Sequence, residues 1–165
     1  RMNKQVESVL TTALGEKNEL DFDQSKIDLN ELLQKIPSRM KLQLEANNAI
    51  LELNLSEQNL SVLADEMHLQ NAICNLIDNA IKYSSDKKVT IRNNHDDLIF
   101  ENAGKHLEHP LEDYFEPFFT HQDSSKDSFG LGLYIVRNIL EANNYTLEYE
   151  YDYENGLNRF ICKKD

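Results

Sequence analysis

The chain has 165 residues, 40% hydrophobic and 28% charged, ordinary values for one globular domain with its own core. Its formal net charge is −12, from 17 Lys and Arg against 29 Asp and Glu, which argues against a DNA or RNA partner, since those need clustered basic residues. No apolar run approaches the ~20 residues of a membrane-spanning helix, and the two cysteines, Cys74 and Cys162, form no metal-ligand pattern.

Residues 1–14 carry Met2, Val6, Val9, Leu10 and Ala13 at helical spacing, closed by Gly15. This amphipathic segment reads as the end of something longer. Residues 1–19 are therefore set apart, as tail and linker, from a domain over residues 20–165. The chain starts at Arg1, so it is expected to be a piece of a longer protein with any membrane segment upstream. Residues 25–29 make a short strand. Residues 30–47 read as a helix with Leu32, Leu33, Ile36, Met40 and Leu44 on one side, kinked or split by Pro37. Alternation predicts a strand at 50–55, with Leu60, Val62 and Ala64 as its hairpin partner.

A long helix follows from about Asp65 to Tyr83. Asp65 is placed to cap it, and Glu66 adds favourable charge in the first turn. Strands at 89–92 and 98–101 form a hairpin around Asn93, Asn94, His95 and Asp96. Residues 103–129 lack periodicity, and so long a structureless stretch is uncommon in a compact domain unless it is functional. A helix starting near Gly130 carries Leu133, Val136, Ile139 and Leu140. Strands at 145–153 and 157–163, turning at Glu154-Asn155-Gly156, close the chain. The sum is an α+β fold, a two-layer sandwich with helices on one face of a mixed, mostly antiparallel sheet.

Two segments carry candidate chemistry. In the long helix, Asn71, Asn75, Asn79 and Lys82 share one stripe, opposite Leu69, Ala72, Ile73, Leu76, Ala80 and Ile81. Each interior Asn costs roughly 0.7 kcal/mol against Ala, so the row points to a demand other than helix stability. Neutral amide oxygens beside an ammonium suit a hydrated cation and a polyphosphate. A polar face without a ligand explains the stripe equally well at this point. The second segment holds Gly104, Gly130 and Gly132, three of only five glycines. Gly130-Leu131-Gly132 opens a helix, where free N–H groups and the positive dipole end favour phosphate.

Taken together, Asn75-Leu76-Ile77-Asp78-Asn79-Ala80-Ile81-Lys82-Tyr83, Phe115-Glu116-Pro117-Phe118-Phe119 and Gly130-Leu131-Gly132-Leu133-Tyr134-Ile135-Val136 resemble the N box, F box and second glycine box of bacterial sensor histidine kinases. The resemblance covers about residues 25–163. It implies the Bergerat ATP-binding fold, shared with gyrase, Hsp90 and the MutL mismatch-repair proteins. It further implies ATP and Mg²⁺ as ligands, and transfer of the γ-phosphoryl group to a histidine on a separate dimerisation domain. By position, Asn79 would hold Mg²⁺, and Asn75 would meet phosphate or metal-bound water. Lys82 would neutralise phosphate charge, and Tyr83 would pack near the base. Gly130, Leu131 and Gly132 would offer backbone N–H groups to phosphate. Leu107, Phe119 and Leu133 join the nucleotide-binding set, Phe119 with Phe115 and Phe118 as anchors of a lid.

The first glycine box departs from the family pattern. Asn102 stands where an Asp usually accepts from the adenine amino group, and His106 replaces the second glycine after Gly104. An Asn oxygen still accepts, so the expectation is ATP binding that persists without being tight. An alternative register puts Glu101 at the Asp position and leaves Gly104 misplaced. None of His68, His95, His106, His109 and His121 sits in the acceptor context of the family. An ATPase of the same superfamily would carry Glu at position 75 as general base; Asn75 favours phosphotransfer. A degenerate domain that binds partners without catalysis is a further alternative. The resemblance also implies a response-regulator partner and a homodimeric parent protein anchored in the inner membrane. This part would be cytoplasmic and, in isolation, monomeric.

Overall fold

The computed structural model describes residues 24–56, 61–95, 97–116 and 132–165. The expected helix at 1–14 lies outside them, as do Pro117, Phe118, Phe119, Gly130 and Leu131. In chain order come β1 (Gln24–Asp28), α1 (Leu29–Arg39), α2 (Lys41–Ala46), β2 (Ile50–Asn54), β3 (Ser61–Asp65) and α3 (Glu66–Tyr83). Then follow β4 (Lys88–Asn94), β5 (Asp97–Ala103), a 3-10 turn (Leu111–Phe115), α4 (Gly132–Ala142), β6 (Tyr145–Asp152) and β7 (Leu157–Lys164). The main sheet has the order β2-β4-β5-β7-β6, with β2 parallel to β4 and the other pairs antiparallel. The two-layer α+β architecture is the one the alternation and helical patterns imply.

The hairpin expected between residues 50–55 and 60–64 does not exist. β2 instead lies beside β4, where Leu51 and Leu53 extend the rows of Val89 and Ile91. β3 pairs with β1 in a separate two-stranded sheet, setting Val62 opposite Ile27, and both are buried. Alternation identifies a strand's inner face but leaves its partner undetermined. The helix expected over 30–47 is split, as Pro37 implies, with the break at Met40. α1 buries Leu29, Leu32, Leu33 and Ile36, whereas α2 buries nothing.

α3 lies across the inner face of the sheet and buries Leu69, Ala72, Ile73, Leu76, Ile77, Ala80 and Ile81. Each buried Leu or Ile stabilises by about 1.5–3 kcal/mol, which outweighs the cost of the Asn residues on the same helix. Asp65 caps it as expected, accepting from the His68 N–H at 3.0 Å. The cap is braced from the end of α4. Asn143, fully buried, accepts from the Asp65 N–H at 2.9 Å and donates to the Ile139 carbonyl at 2.8 Å. The two helices that flank the candidate site are thereby tied at the end away from it.

Replacing Asn143 with Ala would strand the Asp65 N–H in the interior. Urea unfolding of Asn143→Ala is expected to show a loss of about 2 kcal/mol, the usual cost of an unpaired buried group. An unchanged midpoint would mean the brace is not structural.

Candidate functional site

The polar stripe of α3 is built by back-bonding. Asn75 Nδ2 donates to the Asn71 carbonyl at 3.0 Å, and Asn79 Nδ2 donates to the Asn75 carbonyl at 3.1 Å. These bonds engage both amide nitrogens, and neither oxygen accepts a hydrogen bond among the described residues. Lys82 is exposed one turn further on, its ammonium 5.8 Å from the Tyr83 ring centre. Burial, and secondarily Tyr114, pushes the Tyr83 phenol up to about 12, so Tyr83 is neutral at physiological pH. Asn71 serves the stripe through its carbonyl alone.

α4 begins directly against this stripe. A Cβ on Gly132 would lie 3.1 Å from Asn79 Nδ2 and 3.8 Å from its Oδ1. The first N–H groups of α4 have no intrahelical partner, so the positive end of the helix stands beside the Asn79 amide. Leu133 is buried in the core, so only its backbone is available to a ligand. Phe115, which with Glu116 is the described part of the F box, lies under the Arg137 guanidinium at 5.2 Å.

About one turn further along α3, β5 delivers Asn102 and Gly104. A Cβ on Gly104 would fall 2.2 Å from the Tyr83 carbonyl oxygen, so glycine is required here by close approach of two backbones. Asn102 is 2% exposed, and its Oδ1 has no hydrogen-bond partner among the described residues. Its Nδ2 makes one long bond, 3.3 Å, to the Ala103 carbonyl. Glu101 points to the opposite face, where Arg92 donates to it at 2.9 Å and Arg159 at 2.7 Å. The register with Asn102 on the helix side is the one present, and the Glu101 alternative falls.

Three side chains that sequence reasoning missed pin the turn after Gly104. Tyr149 donates to Asn158 Oδ1 and accepts from the Leu107 N–H at 3.0 Å. Asn158 Nδ2 donates to the Lys105 carbonyl at 2.9 Å, and Tyr151 donates to the Gly104 carbonyl at 2.6 Å. Asn158 is fully buried in an otherwise apolar inner row of β7, which was the available signal. His106 does not strain the backbone by replacing a glycine, since its φ is not positive. Its ring packs edge-on to Tyr151 at 5.5 Å and its Nδ1 lies 2.8 Å from the Leu107 carbonyl. Leu107 itself is buried.

The model of the family described as histidine kinase-, DNA gyrase B-, and HSP90-like ATPase matches residues 64–163. The chain belongs to that family. It is 33% identical over 130 residues to the sensor histidine kinase ArsS of Helicobacter pylori, covering 78% of this chain and 30% of that protein. With the sensor protein RprX of Bacteroides fragilis it shares 29% identity over 176 residues, covering 98% of this chain and 33% of that one. The chain thus spans about a third of the length of these curated relatives. The solved structure of the Acinetobacter baumannii histidine kinase AdeS superposes with a TM-score of 0.73 at 26% identity, covering 97% of this chain and 76% of that one. Membership in this ATPase family makes ATP the ligand class of the site.

Among the described residues, no group of three or more His, Cys, Asp or Glu is arranged to hold a metal. The oxygen donors here are the side-chain amides of Asn75 and Asn79, and oxygen is the donor Mg²⁺ takes, alongside waters and substrate phosphate.

Adding a methyl group tests the two close approaches. Gly104→Ala is expected to lose about 2–3 kcal/mol through overpacking against backbone, seen as a melting point lower by about 4–12 °C. Gly132→Ala, facing only a side-chain amide, should cost less. Equal effects would contradict the geometry.

Proposed function

We propose that this chain is the catalytic, ATP-binding domain of a sensor histidine kinase. It passes the ATP γ-phosphoryl group to a histidine on a separate dimerisation domain, in two-component signalling. The observation that carries the reading is a convergence on α3. Asn79 faces the start of α4 at one point of the helix, and Tyr83 abuts the turn that presents Asn102 at another.

In this reading Asn102 and Leu107, with Tyr83 nearby, hold the base. Gly130, Leu131, Gly132 and Leu133 would offer N–H groups to the phosphates, a role that Gly130 and Leu131 take from their motif, and Lys82 would neutralise the charge. Asn79 would hold Mg²⁺ through Oδ1, with Asn75 one turn earlier on phosphate or metal-bound water. Mg²⁺ supplies neutralisation of the β- and γ-phosphate oxygens. Phe119 belongs to the lid anchor, a role assigned from its motif alone. Transfer of this kind needs positioning and charge neutralisation more than covalent help from the protein. Asn75 has no carboxylate to activate water, which favours a protein acceptor over hydrolysis. Residues 1–19 are assigned to the end of the upstream dimerisation helix and its linker, and residues 20–165 to the catalytic domain. The whole protein is proposed to be a membrane-anchored homodimer with this domain in the cytoplasm and a response regulator as its onward partner.

Two measurements test this. Calorimetry with Mg-ADP should show saturable binding, weakened about tenfold or more in Asn79→Ala, the worth of at least one strong contact. Incubation with γ-labelled ATP and the dimerisation domain of the same protein should give an acid-labile, alkali-stable phosphohistidine. Steady release of inorganic phosphate without acceptor labelling, abolished by Asn75→Ala, would instead identify an ATPase.

A further inference from the structure

We infer that Asn102 lets the base pocket accept 6-oxopurine nucleotides as well as adenine nucleotides. The inference rests on the proposed nucleotide site and goes beyond it, to which bases that site admits. Asn102 Oδ1 is a buried acceptor without a partner among the described residues, on the inner face of β5 beside the Gly104 turn. Its neighbour in the same row, Asn158, has both amide ends engaged, by Tyr149 and by the Lys105 carbonyl, and cannot reorient. Among the described residues, the Asn102 amide is held by one 3.3 Å bond to the Ala103 carbonyl.

An adenine edge offers an amino donor at position 6 and an acceptor at N1. A side-chain amide meets both, oxygen to the amino group and nitrogen to N1. A 6-oxopurine reverses the pattern, with an acceptor at position 6 and an N1–H donor. The same amide meets that edge after a half-turn, at the expense of its weak bond to Ala103. A carboxylate has no such option. It accepts only, and in the same pose it would face the 6-oxo group with repulsion. Discrimination against the wrong base requires such a repulsive or unpaired group, and Asn102 does not supply one. The preference for adenine that remains is about tenfold, of the order of one neutral hydrogen bond.

The test is calorimetric titration of the 165-residue chain with ADP, inosine diphosphate and CDP, repeated on Asn102→Asp. Inosine diphosphate is expected to bind within about tenfold of ADP in the wild type, with CDP much weaker. In Asn102→Asp the inosine affinity should fall by about tenfold or more while ADP binding is kept or tightened. The wild-type ratio stands on its own if that variant does not fold. Inosine diphosphate about a hundredfold weaker than ADP in the wild type would overturn the inference and leave the nucleotide site intact. So would a ratio unmoved by Asn102→Asp, or CDP binding equal to ADP. Failure of all three nucleotides to bind would instead overturn the proposed function, and the inference with it.

Discussion

A methyl group on residue 104 would lie 2.2 Å from the Tyr83 carbonyl, and one on residue 132 would lie 3.1 Å from the Asn79 amide. Both contacts are made on α3, little more than one turn apart. They bring the end of β5 and the start of α4 to one helix. The apolar face of α3 decides where that helix sits, and the two missing side chains decide how near its neighbours come. The amides on α3 then share a rim with the positive end of α4. Interiors are packed too closely for such distances to drift, so a volume change at either glycine would propagate to the amides.

The opposite wall of the site is stiff for a different reason. The turn from Gly104 to Leu107 has no regular structure, yet its backbone groups are taken up one by one. Gly104 donates to the Gly156 carbonyl at 3.0 Å and accepts from Tyr151, Lys105 accepts from Asn158, and Leu107 donates to Tyr149. Gly156 is free to adopt the positive φ of 67° that its place in the β6–β7 turn requires. The last hairpin of the chain therefore positions a loop about fifty residues upstream. Polar side chains on the inner face of β6 and β7 do work that apolar ones could not, because only they can bond the turn's inward backbone groups in place of water.

How much of this was legible depended on whether a feature is local. The helix at Glu66–Tyr83, its Asp65 cap and its polar stripe follow from spacing within one element, and a one-dimensional pattern records them. The requirement for Gly104 and Gly132 could be suspected from their position, but the atoms they approach belong to another element. Strand partners were illegible for the same reason. β2 and β3 each alternate correctly, yet β2 pairs with β4 and β3 with β1, choices made by the whole sheet. Asn158 was visible as a polar residue among apolar ones, but its partners Tyr149 and Lys105 lie on two other segments.

The charge of the chain makes the register of β5 consequential. An anionic ligand must approach a protein of net charge −12, so a carboxylate on the site's lining adds repulsion that its own contacts must offset. β5 carries one, Glu101, immediately before Asn102. Strand geometry sends the two to opposite faces. On the outer face Glu101 is held by Arg92 and Arg159, and Arg159 reaches on to Asp152 at 3.0 Å. A slip of one residue would exchange them, placing an acid in the pocket and an unpaired amide among arginines. The two arginines therefore act on the site without touching it. By holding Glu101 on the outer face, they leave the neutral Asn102 on the helix side. In the proposed site, amides, one exposed lysine and a helix end offset the acidity of the domain locally.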